Sequence, residues 1–309
     1  MLLIINTNKA LDNLKLNFDD NGLWALYIAL AIIMFGISLD ITIDDFKRLS
    51  KNPRLVLIGI FSQFLLFPLI TFALINLINP IPSIALGMIL VAACPGGNIS
   101  NFLTHLSNGN TALSVSLTAF ATLVAIVMTP INLQFWGNLY EPTAQILKAV
   151  ALDPYALTKL VLLILGVPLI AGMLVRKYKT NLAKKISKIL KPTSITILML
   201  FIAVAFYNNL DIFLEYIHYV IFIVILHNIS GLVGGFYFAK LMKLPYSDQK
   251  TLALETGIQN SGLGLLLVFA FFDGLGGMAL CVAFWGIWDI LSGLAIAYYW
   301  SKKLHKVKL

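Results

Sequence analysis

Charged residues are scarce in this chain and cysteine is almost absent. Only 12% of the 309 residues are Asp, Glu, Lys or Arg, and 59% are hydrophobic, whereas soluble domains carry about 25% charged and roughly 45–50% apolar residues. Water is therefore excluded as the main solvent of the protein. Acidic residues are the scarcer sign, 14 against 22 basic, which leaves a formal charge of +8. That excess does not form a basic face with interleaved aromatics, so nucleic acid is not the partner it implies. Cys94 and Cys281 both fall inside apolar segments and read as buried small hydrophobes, which leaves no disulfide framework and no cysteine metal pair. The stretch 1–18 has no basic start, no apolar run of useful length and no small-residue cleavage site. No removable signal peptide is expected there, and the first apolar span acts as its own insertion signal.

What the chain has in abundance is long apolar runs. Broken at charges and at Pro or Gly, they predict nine transmembrane helices over 22–39, 53–78, 82–106, 110–130, 155–176, 192–210, 214–240, 247–272 and 274–300. The fold class is all-α integral membrane protein, one membrane domain over 1–309 with the lipid bilayer as its surroundings. Basic residues test the count, because they gather on the cytoplasmic side. Lys47, Arg48, Lys51 and Arg54 follow span one; Arg176, Lys177, Lys179, Lys184, Lys185, Lys188 and Lys191 follow span five. Lys240, Lys243 and Lys250 follow span seven, and Lys302, Lys303, Lys306 and Lys308 form the tail. Only Lys9, Lys15, Lys148 and Lys159 remain for the other side. The expected topology is a multi-pass protein of the cell membrane, N-terminus outside and C-terminus cytoplasmic. Segment 179–191, with Leu182, Ile186, Ile189 and Leu190 on one helical face, reads as an interfacial helix or a cytoplasmic linker helix. Segment 131–154, with Trp136, Tyr140 and Tyr155, reads as an aromatic-rich surface connection.

Two spans are broken near their middles. Span three reaches Pro95-Gly96-Gly97 and then Asn98-Ile99-Ser100-Asn101; span eight reaches Glu255-Thr256-Gly257-Ile258-Gln259-Asn260-Ser261-Gly262. Non-helical backbone at membrane depth is tolerated only where it is buried in protein or lines a cavity. Freed carbonyls and amide side chains near the bilayer centre are how discontinuous helices of secondary transporters hold cations and substrate. A simple kink would explain one such break, but two with polar clusters and a carboxylate point to a transport site.

Of the acidic residues only Glu255 and Asp289 fall within the apolar interior. A charge there costs about 2.5–3.5 kcal/mol on insertion scales, so a function or a bound counter-ion is expected. The sequence places no basic residue in the same interior, which leaves a metal ion or a proton as the neutralising charge. Hydroxyls, amides and carbonyls around Glu255 suit a hard cation such as Na⁺ rather than zinc or copper. His227, followed by Asn228 and Ser230, can serve as a proton relay or, neutral, bond a neighbouring helix.

The runs Ala93–Asn101, Leu226-His227-Asn228, Leu244–Thr251 and Glu255–Gly262 resemble the bile acid:sodium symporter family, with a likeness extending from about 22 to 303. The resemblance implies inverted repeats, two discontinuous helices that cross, a panel (about 22–39 and 155–210) and a core (about 53–130 and 214–300). It also implies two sodium sites. The first would use Ser100, Asn101, Ser114, Thr118 and Glu255; the second Gln63, Glu255, the carbonyls of Thr256 and Ile258, and Gln259. Substrate, an organic anion such as a bile-acid-like molecule or a small carboxylate, would lie near Asn98, Asn260 and Asp289. Two features depart from bacterial relatives. The polar stretch before Gly22 cannot supply the first of ten helices, so spans one to four would match spans six to nine. Asp289, in Trp288-Asp289-Ile290, stands where bacterial relatives can carry His followed by Asn. A carboxylate in an anion pocket would have to be protonated or to bind a substrate hydroxyl. Sodium-coupled symport by alternating access is the leading expectation, with a proton-coupled transporter or exporter on the same fold as its alternative.

Overall fold

Proline sets where the helices begin. Pro53, Pro82 and Pro154 open three of them and Pro245 caps a fourth, positions at which a fixed φ is preorganised and a missing N–H costs nothing. The structure, a computed structural model, describes residues 11–12, 14–16, 20–42, 44, 47 and 52–305. Lys9, Arg48, Lys51, Lys306 and Lys308 of the basic-loop count, and both chain ends, lie outside the described residues.

Among the described residues we number twelve helices, α1 Asp20–Ser38, α2 Pro53–Ile78, α3 Pro82–Ala93, α4 Ile99–Leu106, α5 Thr111–Leu139, α6 Glu141–Val150, α7 Pro154–Tyr178, α8 Thr180–Tyr207, α9 Leu210–Leu241, α10 Tyr246–Gly257, α11 Ser261–Phe272 and α12 Gly276–His305. Among the described residues there is no strand, only two isolated bridges. Helices α2, α5, α7, α9 and α12 are long and apolar enough to cross a membrane, while α1, α3 and α11 are shorter apolar helices. Helices α3 and α4 are separated by residues 94–98, and α10 and α11 by 258–260, so both spans read as broken are broken. Helix α3 is buried on every face from Ser83 to Ala93 and forms the centre of the main apolar cluster, packed against α12. Helices α1, α7 and α8 pack on one another as a group.

Two helices contain a π-helical turn just before an internal proline: Ser62–Leu66 ahead of Pro68, and Leu162–Gly166 ahead of Pro168. Pro68 cannot donate to the carbonyl of Phe64, and Asn132 Nδ2 on α5 donates to that oxygen instead, at 2.9 Å. The added turn brings Ser62 and Gln63 to the buried side of α2.

Three sequence expectations need correction. Segment 131–154 is not a surface connection: α5 runs through Pro130 to Leu139, and Trp136 is buried against Phe72, ring centroids 5.5 Å apart. Beyond its proline the helix is tied to α2 by Asn132 and Trp136. Segment 179–191 is no separate helix either, since α8 is continuous from Thr180 to Tyr207. It buries Ala183 and Ser187, the latter donating to Asp40 Oδ1 at 2.9 Å, and leaves Leu182 and Ile189 exposed. Lys250, counted among loop lysines, is 1% exposed inside α10.

Before α1, residues 11–12 and 14–16 lie over the starts of α3 and α12. Leu11 is fully buried, Asp12 Oδ1 accepts from the Ser83 amide at 2.9 Å, and Leu14 and Leu16 pair through their backbones with Gly276 and Gly274. Lys15 reaches the Asp273 carboxylate in the same place.

Candidate functional site

The two breaks meet. The Gly97 amide donates to the Ile258 carbonyl at 2.8 Å and the Asn260 amide to the Pro95 carbonyl at 2.9 Å, an antiparallel bridge centred on Gly96 and Gln259. Each unwound segment thus satisfies part of the other's backbone, as a buried break requires. Glycine is needed for this approach: a Cβ on Gly97 would lie 2.7 Å from the Gln259 carbonyl oxygen, and one on Gly96 2.9 Å from that of Glu255. Asn260 then caps α11 through the Leu263 amide at 3.0 Å.

Beside this crossing Glu255, 1% exposed, gathers side chains from three other helices. Ser100 on α4 donates to its Oε1 at 2.5 Å, and Ser114 on α5 to the same oxygen at 2.5 Å. Thr118 Oγ1 lies 3.0 Å from Oε2 and 3.1 Å from Oε1, and Gln63 Nε2 on α2 is 3.4 Å from Oε2. Asn101 Oδ1 sits 2.8 Å from Ser114 Oγ and 3.2 Å from Thr118 Oγ1. Thr118 Oγ1 also lies 3.0 Å from the Ser114 carbonyl, so three hydroxyl protons face four acceptors, two carboxylate oxygens, the Asn101 amide oxygen and that carbonyl, within a nest of six side-chain oxygens. Among the described residues Glu255 forms no ion pair, and no group of three or more His, Cys, Asp or Glu could hold a softer metal. An oxygen-only cluster built on a single carboxylate is the chemistry of a hard, weakly charged cation.

The residues expected at a second site adjoin the first. Gln63 Oε1 accepts from the Gly96 amide at 3.3 Å, Gln259 Nε2 donates to the Thr256 carbonyl at 2.7 Å, and the Ile258 carbonyl takes the Gly97 amide. Gln259 Oε1 is buried with no hydrogen-bond partner, an acceptor with room for one more charge. Of the three substrate candidates, Asn98 and Asn260 flank the crossing, and Asn98 Nδ2 points to Met34 Sδ on α1 at 3.9 Å. Asp289 on α12 is 3% exposed and faces the backbone amides of Ile290 and Gln259. It belongs to the same crossing rather than to a separate pocket wall.

Sequence reasoning missed four contributors. Ser62 Oγ is 2.7 Å from Thr256 Oγ1, and Asn228 Nδ2 donates to the Gly257 carbonyl at the end of α10, 2.8 Å away. Thr71 Oγ1 lies 2.8 Å from the Phe67 carbonyl and shares a hydrogen bond with His227 Nε2 at 2.6 Å. His227, stacked on Phe67 at 4.8 Å, thereby bonds a neighbouring helix. Lys250 is the fourth, buried within the protein against the turn between α4 and α5. Ser62 had a signal in its place beside Gln63, and Asn228 and Lys250 lie within runs that carry the resemblance; Thr71 had none beyond polarity in an apolar run.

A family model described as "Sodium Bile acid symporter family" matches residues 27–216. The chain is 38% identical, over 279 residues, to the "Uncharacterized sodium-dependent transporter YocS" of Bacillus subtilis (strain 168), an alignment covering 90% of this chain and 84% of that protein. This protein belongs to the sodium bile acid symporter family. It is also 30% identical over 241 residues to the "Ileal sodium/bile acid cotransporter" of Mus musculus, covering 77% and 67% of the two chains. With the "Probable sodium/metabolite cotransporter BASS1, chloroplastic" of Arabidopsis thaliana it shares 31% identity over 245 residues, 79% of this chain and 58% of that one. These relatives are named as transporters, not as enzymes, and the protein is accordingly a membrane protein of a sodium-dependent transporter family.

Proposed function

We propose that this protein carries an organic anion across the cell membrane together with sodium ions, by alternating access. The observation that carries the reading is Glu255: a buried carboxylate with no basic partner, held by hydroxyls and amides from α2, α4 and α5 at the crossing of two broken helices. In our reading one Na⁺ sits among Ser100, Asn101, Ser114, Thr118 and Glu255. A second sits among Gln63, Glu255, Gln259 and the carbonyls of Thr256 and Ile258, where the unpartnered Gln259 Oε1 supports it. Substrate lies against Asn98, Asn260 and Asp289, on the side of the crossing that Asn98 presents to α1.

The element order supports two repeats, α1 to α5 and α8 to α12, each with its third member broken. With α3–α4 and α10–α11 each counted as one span, and the ten-residue α6 left out as too short to cross a bilayer, we count nine spans, N-terminus outside. Helices α1, α7 and α8 form the panel, and the helices around the crossing form the core that rocks against it. Sodium neutralises Glu255 and orders the crossing, so that the site closes on one side only when filled. Each ion moving inward gains about 2.3 kcal/mol per 100 mV of membrane potential, so two ions with a monovalent anion make transport electrogenic.

The test is a thermal-shift screen of organic anions, bile acids and small carboxylates included, in sodium and in choline, followed by uptake of the hits into proteoliposomes. Stabilisation and uptake that require sodium are expected. Sodium-free uptake driven equally well by a proton gradient would replace this reading with the proton-coupled one.

A further inference from the structure

Residues 107–110 turn the chain from α4 into α5, and with it join the two helices that carry Ser100, Asn101, Ser114 and Thr118. Asn108 adopts the left-handed conformation there, φ 55°. This turn is gripped by the start of α10. Lys250 Nζ donates to the Ser107 carbonyl at 2.5 Å and the Asn108 carbonyl at 2.8 Å, and lies over the Tyr246 ring, 5.3 Å from its centroid. The Asn110 amide donates to Thr251 Oγ1 and its Nδ2 to Asp248 Oδ1, each at 2.9 Å, while its own Oδ1 caps α5 through the Leu113 amide at 3.1 Å. One helical turn beyond Thr251, on the same face, stands Glu255. Helix α10 therefore holds the α4–α5 hairpin twice, at its closed end through Asp248, Lys250 and Thr251, and at its open end through Glu255.

Stability alone does not explain the lysine. Among the described residues no carboxylate pairs with it. A buried ammonium costs more than an apolar side chain of the same length would. What the ammonium supplies is direction: its hydrogen bonds converge on the carbonyls beyond the last turn of α4, the negative end of that short helix. We propose that Lys250 is a positioning residue for the sodium cluster, fixing the α4–α5 turn on α10 so that Ser100, Ser114 and Thr118 stand in register with Glu255. The proposal rests on reading that cluster as a sodium site.

The experiment titrates sodium against choline at constant ionic strength, on the purified full-length protein, and follows the melting temperature. Lys250→Met should raise the half-saturating sodium concentration about tenfold or more, the size expected when a charge-assisted hydrogen bond is lost. Lys250→Arg should return it to within about threefold of wild type, which loss of fold cannot mimic. The exposed Lys148→Met should leave it unchanged. A folded Lys250→Met protein with the wild-type sodium midpoint overturns the proposal. Should that variant not fold, Thr251→Val, which keeps the ammonium and removes the acceptor for the Asn110 amide, decides: a midpoint raised about threefold supports the clamp, and an unchanged one overturns it. If Glu255→Ala keeps the wild-type sodium response, the sodium reading itself falls and the role given to Lys250 falls with it.

Discussion

Ser114 Oγ and Glu255 Oε1 lie 2.5 Å apart although 141 residues separate them in the chain. The contact spans the two halves of the molecule, so whatever neutralises the carboxylate is felt in both. Glu255→Ala is expected to abolish the sodium dependence of uptake or to weaken it by two orders of magnitude or more, because the other ligands are neutral dipoles. Ser114→Ala and Gln63→Ala should each cost about tenfold in sodium affinity, the value of one hydrogen bond to a charged group. Initial uptake rates against sodium concentration in proteoliposomes provide the check, and the wild-type curve should be sigmoidal. A wild-type curve from Glu255→Ala would refute the assignment.

Asp289 faces the Gln259 amide, and an amide side chain can still accept a hydrogen bond there. Asp289→Asn should therefore keep the sodium midpoint within about twofold while changing which anions are carried, since the amide offers the substrate a fixed donor and acceptor in place of a carboxyl group that must be protonated or bind a substrate hydroxyl. Competition among a panel of anions, run at saturating and half-saturating sodium, separates the two effects. Loss of sodium affinity with an unchanged anion profile would move Asp289 to the sodium side.

Gly97→Ala and Gly234→Ala differ by what the new methyl group meets. At Gly97 it is the Gln259 carbonyl oxygen, 2.7 Å away in fixed backbone; at Gly234 it is only Ile70 Cδ1, the free end of a flexible side chain, 2.6 Å away. The first substitution should lower stability by about 1–3 kcal/mol and abolish uptake, whereas the second should be close to neutral. Melting curves in detergent alongside uptake would show equal damage from both if the crossing were not the constrained element.

Asn132→Leu removes the donor that serves the Phe64 carbonyl opposite Pro68. The buried oxygen then has no partner, with an expected loss of about 1–3 kcal/mol. Asn132→Gln, whose amide is one methylene farther out, should recover part of it. Thermal unfolding distinguishes this from a simple volume change, because Asn132→Ala should be as harmful as Asn132→Leu.

A tag at the N-terminus should be reached by a membrane-impermeant reagent on intact cells, and one after Leu309 only after permeabilisation. Labelling of both ends under the same condition would sink the proposed topology.

The broken helices were legible because Pro95-Gly96-Gly97 and the run from Glu255 to Gly262 interrupt otherwise uniform apolar stretches, and composition records such interruptions directly. Pro130 misled for the same reason. A proline followed by amide residues looks like a helix end, yet α5 continues through it and is buried at Asn132, Leu133, Trp136 and Gly137. Lys250 was illegible in another way. A lysine a few residues into a span reads as its cytoplasmic edge, and nothing in local pattern reveals that carbonyls 142 and 143 residues earlier receive it. The π-helical turn at Ser62–Leu66 likewise leaves no periodic trace of its own, and the Asn132 amide that serves the carbonyl within it lies far along the chain.

The segment 11–16 has a bearing on how far the protein can open. Leu16 is fastened to Gly274 at the start of α12, and α1 begins at Asp20. Four residues of chain reach at most about 14 Å even when fully extended. The leash therefore limits how far the first turn of α1 can travel from the α11–α12 corner, whatever swing the far ends of these helices make. Trimming the chain to Gly22 would remove that tether.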